Sequence, residues 1–588
     1  MPLSFHMVQS AGVRFADIAG RSGRGSVRPA GRGDEDSRAC GTPRAGTDVG
    51  TPASMIATLP SASLYGVDAF RVDVEIDVAG GLPQYGVVGL AATSIKEGGA
   101  RIRSALRACG QEVPPRRVTV NLAPADRRKE GAAFDLPIAL GILGATRLFD
   151  LSLLQGLMLV GELGLDGALR PVRGVLAAAA LARRLGLRGI MVPASCAAEA
   201  CVVDGLEVYA VAHLADVLRA LTGELPLPRA SPPPPRTDLV TDVGDFADVR
   251  GQGEARRAIE IAVAGGHNVL LFGPPGIGKT MLARRVPGIL PPMTRDEAIE
   301  VTRVYSAAGL APAEGLITRR PFRSPHHTCS SAALVGGGTV PRPGEVSLAH
   351  RGVLFLDEMP EFARAAVEAL RQPLEERVVR IGRAHGTVKL PASFHLVASA
   401  NPCPCGWHGS EERQCSCTPG LVERYRTRLS GPLIDRIDLQ VRVGMVSLGA
   451  MRSDESAEAS APIRARVEAA RARQMHRLAR FIDVTGPHDS ARCNAEMNVA
   501  VARATCRLTP AAERVLAALF EKRAGMTARS IDRIVRVART IADLDGADTV
   551  GADCVHEAST FRALDTEPTF DIRQLLGPAP APRDAEAS

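Results

Sequence analysis

At 588 residues, with 45% hydrophobic and 23% charged side chains, the chain has the make-up of ordinary globular material and is long enough for three or four domains. No uninterrupted apolar run reaches the roughly 18 residues that span a bilayer, and the N-terminus lacks a basic start followed by an apolar core and a cleavage site, so the reading is cytoplasmic with no membrane partner. A net charge of +7 permits a polyanionic partner without demanding one, while 4% aromatic residues with one tryptophan argue against base-stacking platforms and leave backbone-tracking contacts to nucleic acid open.

Residues 1–54 are rich in Gly, Arg, Ser and Thr without a periodic apolar pattern and are expected to be disordered. Domain-like alternation begins at Met55, the expected initiator; a genuine basic tail is the alternative. From 55 to 222, predicted strands (70–76, 117–121, 157–160, 189–192) alternate with helical runs (94–109, 174–185), which describes an α+β domain. The charge run Asp126, Arg127, Arg128 and Lys129 reads as a solvated loop, with contact to a polyanion as the alternative. A proline-rich linker at 223–236 leads into a second domain, 237–445.

There the apolar run 268–272 enters Gly273, Pro274, Pro275, Gly276, Ile277, Gly278, Lys279 and Thr280, followed by helix-forming residues 281–285. Strand, glycine-rich loop and helix start in that order make a phosphate-binding loop. Backbone N–H groups converge on a triphosphate there and the helix N-terminus adds a favourable dipole. Lys279 would neutralise the β and γ oxygens, and the Thr280 hydroxyl would hold Mg²⁺. The segment 307–344, with Arg319, Arg320 and Arg323, is a glycine- and proline-rich insertion. His326 and His327 lack a third ligand at suitable spacing, so capping or packing is expected of them. The buried strand 352–356 then ends in Asp357 and Glu358. Parallel sheets bring such pairs to the carboxyl edge, where Asp357 would complete the Mg²⁺ shell and Glu358 would orient and deprotonate the attacking water.

Segments 375–383 and 387–390 predict a β-hairpin. Its Arg377, Arg380, Arg383 and Lys389 would grip phosphates, or form a basic edge that resists aggregation. A third strand, 394–400, delivers Asn401 to the nucleotide edge. Cys403 and Cys405, then Cys415 and Cys417, are two C-x-C pairs around a turn; zinc is the reading, with buried thiols or disulfides as the alternative. His408 inside this loop reads as a solvated turn residue or a substitute ligand. Arg436 follows in Asp-Arg-Ile-Asp, and helical patterns at 463–480, 510–522, 528–545 and 554–564 make a helical lid over 446–575 that would close over the nucleotide. The tail, 576–588, is expected to be mobile.

The motif order of Walker A, Walker B, Asn401, Asp-Arg-Ile-Asp and a late Arg529 resembles the AAA+ ATPases. Within them the chain is similar to the magnesium-chelatase-like group known as YifB or ComM, from about Met55 to about Asp565, including the text 323–328 and 401–406. The resemblance implies an α/β fold: a P-loop AAA+ core with a parallel sheet and helical lid, preceded by a Lon-protease-like (ribosomal S5 domain 2-like) domain. It implies that Asn401 is sensor 1, Arg436 the finger reaching a neighbouring subunit's nucleotide and Arg529 the sensor-2 arginine, with ATP and Mg²⁺ as cofactors and a hexameric ring as the assembly. An ordinary surface ion pair is the alternative for either arginine. At the places that resemble the Lon nucleophile and base stand Ala133 and the lysine-free run 176–178, so peptidase chemistry is not expected. By the same resemblance the cargo is DNA, moved as a branch-migration or helicase substrate during natural transformation or recombination. A chelatase-type subunit that remodels a metal-inserting partner, or a protein-remodelling motor, is the alternative.

Overall fold

A computed structural model describes residues 55–232, 244–338, 341–383, 386–410, 413–446, 457–481, 491–522 and 526–562. The expectations for 1–54, the end of the linker, the start of the helical region and the tail lie outside the described residues.

The N-terminal part is α+β, as the alternation predicts. Strands Met55–Tyr65 and Asp68–Ala79 form an antiparallel hairpin; Arg117–Ala123 joins antiparallel and Gln84–Val88 adds a parallel edge. Helix Asp135–Ala145 is buried along its whole length, which explains its unbroken apolar sequence. A three-stranded parallel sheet, Leu157–Leu159, Gly189–Pro193 and Glu207–Val211, carries helix Val175–Arg184.

The second part is built on five parallel strands in the spatial order Phe322–Arg323, Val353–Leu356, His395–Ala400, Val269–Phe272, Leu439–Arg442. The central strands are apolar almost end to end because helices cover both faces. Parallel register brings every carboxyl end to one edge and every amino end to the other. The hairpin Val378–Arg383 and Gly386–Pro391 is present where it is expected.

The C-terminal helices Ser460–Leu478, Val499–Thr505, Pro510–Lys522, Ala528–Leu544 and Ala552–Thr560 follow. Their apolar faces (Ile463, Val467, Ile534, Val537, Ile541) share one core with Ala258, Ile259 and Leu282 of the nucleotide domain. Buried polar bonds fasten them at the amino edge of the sheet: Gln474 Nε2 donates to the Ala264 carbonyl at 3.0 Å, and a guanidinium N–H of Arg562 donates to the Ile437 carbonyl at 2.6 Å. The expected lid over the nucleotide is therefore corrected: within one chain these helices sit behind the sheet, where amphipathic faces find the apolar surface they need.

Candidate nucleotide site and its cysteine knuckle

Strand Val269–Phe272 gives way to the glycine loop and helix Lys279–Ile289 starts at once behind it. Gly278, at φ 92°, makes the turn into the helix in a conformation that costs a side-chain-bearing residue about 1 kcal/mol or more. The Lys279 ammonium is folded back, donating to the carbonyls of Gly273 (2.6 Å) and Pro274 (2.7 Å) and to Asn401 Oδ1 (2.9 Å). Burial lowers it to about 8 from its ordinary 10.5. These three acceptors occupy the donors that phosphate oxygens would take.

Thr280 Oγ1 donates to Asp357 Oδ2 at 2.8 Å, so the two expected Mg²⁺ ligands are adjacent. Ser399 Oγ donates to Asp357 Oδ1 at 2.6 Å and accepts from the Glu358 N–H at 2.8 Å. Glu358 stands at φ 51°, a sparsely populated conformation for a residue with a Cβ, and its Oε1 accepts from Asn401 Nδ2 at 3.1 Å. Asn401 thus touches both Lys279 and Glu358, and its own N–H donates to the buried Tyr425 hydroxyl. The donor set suits a magnesium triphosphate: a hydroxyl and a carboxylate for the hard cation, an ammonium for the phosphates and a second carboxylate free of the metal pair for water. Ser399 and Tyr425 escaped the sequence reading; a lone hydroxyl in an apolar strand was the signal for the first.

The knuckle hangs from this edge. Sγ–Sγ distances are 3.4 Å (Cys403–Cys405), 3.7 Å (Cys403–Cys415) and 3.5 Å (Cys405–Cys415), and Cys417 completes a group within 4.8 Å. Thiolates about 2.3 Å from one zinc ion lie roughly 3.8 Å apart in a tetrahedron, whereas a disulfide needs about 2.05 Å. The spacing fits a metal and not a bridge. Gly406 at the turn packs on the phosphate loop: a Cβ there would lie 2.5 Å from Pro275 Cδ.

Arg436 and Arg529 lie elsewhere. Arg436 precedes strand Leu439–Arg442, so it belongs to the amino edge; its Nη2 pairs with Glu375 Oε1 at 2.6 Å. Arg529 opens helix Ala528–Leu544 and lines a cavity of about 760 Å³ with Asn268, His395, Asp438 and Glu375, all from the amino ends of the strands or beside them. The structure brings Lys279, Thr280, Asp357, Glu358 and Asn401 together and leaves both arginines on the opposite edge of the sheet.

Sequence comparison decides the family. Residues 245–451 match the family described as magnesium chelatase, subunit ChlI; 74–196 match subunit ChlI of Mg-chelatase; and 457–562 match the ChlI C-terminal family. The protein YifB of Salmonella typhimurium is 40% identical over 514 residues, covering 87% of this chain and 97% of that protein. The competence protein ComM of Haemophilus influenzae is 40% identical over 519 residues, covering 87% and 98%. The chain belongs to the magnesium-chelatase-like AAA+ ATPases of the YifB/ComM group. Lon protease 2 of Bacillus subtilis is also similar, at 27% identity over 186 residues, 27% of this chain and 33% of that protein.

In this YifB/ComM-type chain the expected dyad positions carry no nucleophile or base. Ala133 lies just before the buried helix Asp135–Ala145, and Leu176 is buried with its N–H donated to Glu199 Oε1 at 2.6 Å. Glu199 also accepts from the Ser306 hydroxyl on helix Arg295–Ala308, so this place fastens the N-terminal part to the nucleotide domain. The neighbouring charge run needs a correction at one residue. Lys129 is fully buried, donating its ammonium to the carbonyls of Gly89 and Pro124, and only Asp126, Arg127 and Arg128 face solvent. His326 caps locally through Thr328 Oγ1 (2.9 Å) and packs against His327 with the rings tilted by 33° and their centroids 4.1 Å apart, in line with the expected capping or packing role. No helix among the described residues is long and apolar enough to cross a membrane.

Proposed function

We propose that this chain hydrolyses ATP between adjoining copies of itself in a ring, most simply a hexamer, and that the ring moves DNA in branch migration or unwinding. The observation that carries the reading is the separation of Lys279 and Glu358 from Arg436 and Arg529 by the full depth of the sheet. One nucleotide can meet both sets only if a second chain presents its amino edge to the first chain's phosphate loop. In that arrangement Lys279 and residues 273–278 hold the phosphates, Thr280 and Asp357 hold Mg²⁺, Glu358 activates water with Asn401 beside it, and Arg436 and Arg529 stabilise charge on the transferring phosphoryl group from the neighbour. Cys403, Cys405, Cys415 and Cys417 hold a structural zinc ion that stiffens the phosphate edge. With Ala133 and Leu176 at the dyad positions, the N-terminal part serves as a collar and not as a peptidase.

DNA as cargo is supported by the competence protein among the relatives and by the basic hairpin, with Arg380 and Lys389 on facing strands. The chelatase descriptions of the matching families favour the second reading, a motor that remodels a metal-inserting partner. Hydrolysis is to be measured alone and with single-stranded, duplex and forked DNA, with Glu358→Gln as the inactive control. Stimulation by DNA that fades with added salt supports the DNA motor. Stimulation by a chelatase partner alone reverses the ranking. Mixing inactive Arg436→Ala with inactive Lys279→Ala chains is expected to restore part of the activity; a mixture that assembles and stays inactive refutes the shared site.

A further inference from the structure

Both terminal nitrogens of Arg436 are engaged within its own chain. One terminal nitrogen pairs with Glu375 at 2.6 Å, the other donates to its own chain's Pro432 carbonyl, and Nε is buried without a partner; the side chain is 11% exposed. Glu375 is the accessible member, at 47%, so the pair is within reach of competition.

Glu375 also has a telling neighbour. It and Glu376 close the short helix Arg371–Glu376, after which Arg377, at φ 57°, turns the chain directly into the hairpin strand Val378–Arg383. Glu376 Oε2 accepts from Arg380 Nε of that strand at 2.8 Å. Two adjacent carboxylates therefore hold two arginines of opposite duty: one the finger, the other a basic residue of the hairpin. The root is pinned by Arg377, which pairs with Glu496 at 3.3 Å and donates to the Ala495 carbonyl at 3.1 Å. Because Glu375 and Glu376 are consecutive on one short helix end, release of Arg380 from Glu376 acts on the same turn that holds Arg436.

We infer that Glu375 is a positioning residue that restrains Arg436 until a polyanion on the hairpin draws Arg380 from Glu376, so that hydrolysis waits for cargo. This rests on reading Arg436 as the residue that completes a neighbour's nucleotide site. Loss of the restraint acts on turnover and not on nucleotide binding, because neither glutamate touches the phosphate edge.

The test compares Glu375→Gln with the unaltered full chain, without DNA and with a single-stranded oligonucleotide. The substitution is expected to raise the DNA-free kcat about fivefold, the factor that corresponds to the upper range of a surface ion pair, with KM unchanged and with a smaller ratio of DNA-stimulated to DNA-free rate. An unchanged DNA-free rate overturns the inference. So does a lowered rate, which would mean that Glu375 supports Arg436 in its active position. Arg436→Ala, measured in parallel, separates the two readings. If it hydrolyses ATP normally the finger assignment fails, whereas if it is inactive and Glu375→Gln behaves as the unaltered chain, only the restraint fails.

Discussion

Ser399 is the residue on which the two acidic groups of the site depend together, and Ser399→Ala isolates that dependence. Its hydroxyl is fully buried and makes two bonds, 2.6 Å to Asp357 and 2.8 Å from the Glu358 N–H. Alanine removes one oxygen and both of its hydrogen bonds while keeping a small side chain in the strand. The bond to an ionised carboxylate is worth about 1.5–3 kcal/mol, and the stranded N–H adds a cost of similar order. Part of this falls on stability, and assigning about 2 kcal/mol to the activated state gives a fall in kcat of roughly 30-fold. Because Asp357 would be free to turn from Thr280, the Mg²⁺ concentration for half-maximal hydrolysis is expected to rise as well. Nucleotide affinity in the absence of Mg²⁺ is expected to hold, since the Lys279 contacts do not include Ser399. Steady-state hydrolysis across a Mg²⁺ titration, with direct binding of a fluorescent nucleotide, measures all three. A kcat within twofold of the unaltered chain at saturating Mg²⁺ would refute the reasoning, because Asp357 and Glu358 would then keep their places unaided.

Lys279 gives a pH signature. With its folded value lowered to about 8 by burial, the nucleotide-free protein releases this proton between pH 8 and 10.5 while the unfolded chain retains it, so this group makes stability rise with pH across that window. ATP affinity runs the other way: level below pH 8, then falling by up to about tenfold per unit because the phosphates need the ammonium, whereas adenosine binding is expected to show no such dependence. Gly406→Ala is expected to weaken ATP binding about fivefold with zinc content unchanged, since a methyl at φ 84° and 2.5 Å from Pro275 Cδ must displace the phosphate loop; unaltered affinity would show that the loop yields freely. Elemental analysis is expected to find one zinc per chain in the purified protein and less in Cys415→Ser; equal content in both would remove the metal assignment.

The phosphate loop was legible because its chemistry is local: strand, glycines, lysine and helix follow one another without a break, and backbone geometry needs nothing further. Asp357 and Glu358 were legible for a related reason, as charges ending an apolar run that can only be a buried strand. Ser399 was not. Its role exists only because strand Val353–Leu356 pairs with His395–Ala400, with Leu356 opposite Ala398, and strand order is set by crossovers that no local window contains. Lys129 failed for the converse reason. In a run of charges it is expected to be solvated, and only the carbonyls of Gly89 and Pro124, supplied from elsewhere in the fold, make its burial tolerable.

The placement of the C-terminal helices shows where periodicity stops being informative. The pattern at 528–545 identified a helix and its apolar face, and helix Ala528–Leu544 has both. A face says that something must cover it, not what. Here the covering surface is helix Gly253–Gly265 and the amino edge of the sheet, and Arg533 fixes the choice by pairing with Asp438 just ahead of strand Leu439–Arg442. Asp438 is held far below the usual carboxylate range: burial raises it, but Arg533, then His267 and the Asn268 N–H, outweigh that penalty. Such a buried pair is costly to break singly, so the helix that carries Arg529 is anchored away from its own phosphate loop and not poised to swing over it. Under the proposed shared site, an arginine fixed on that edge would serve a neighbouring chain's nucleotide and not its own, and the helical pattern at 528–545 carries no information about which edge of the sheet it covers.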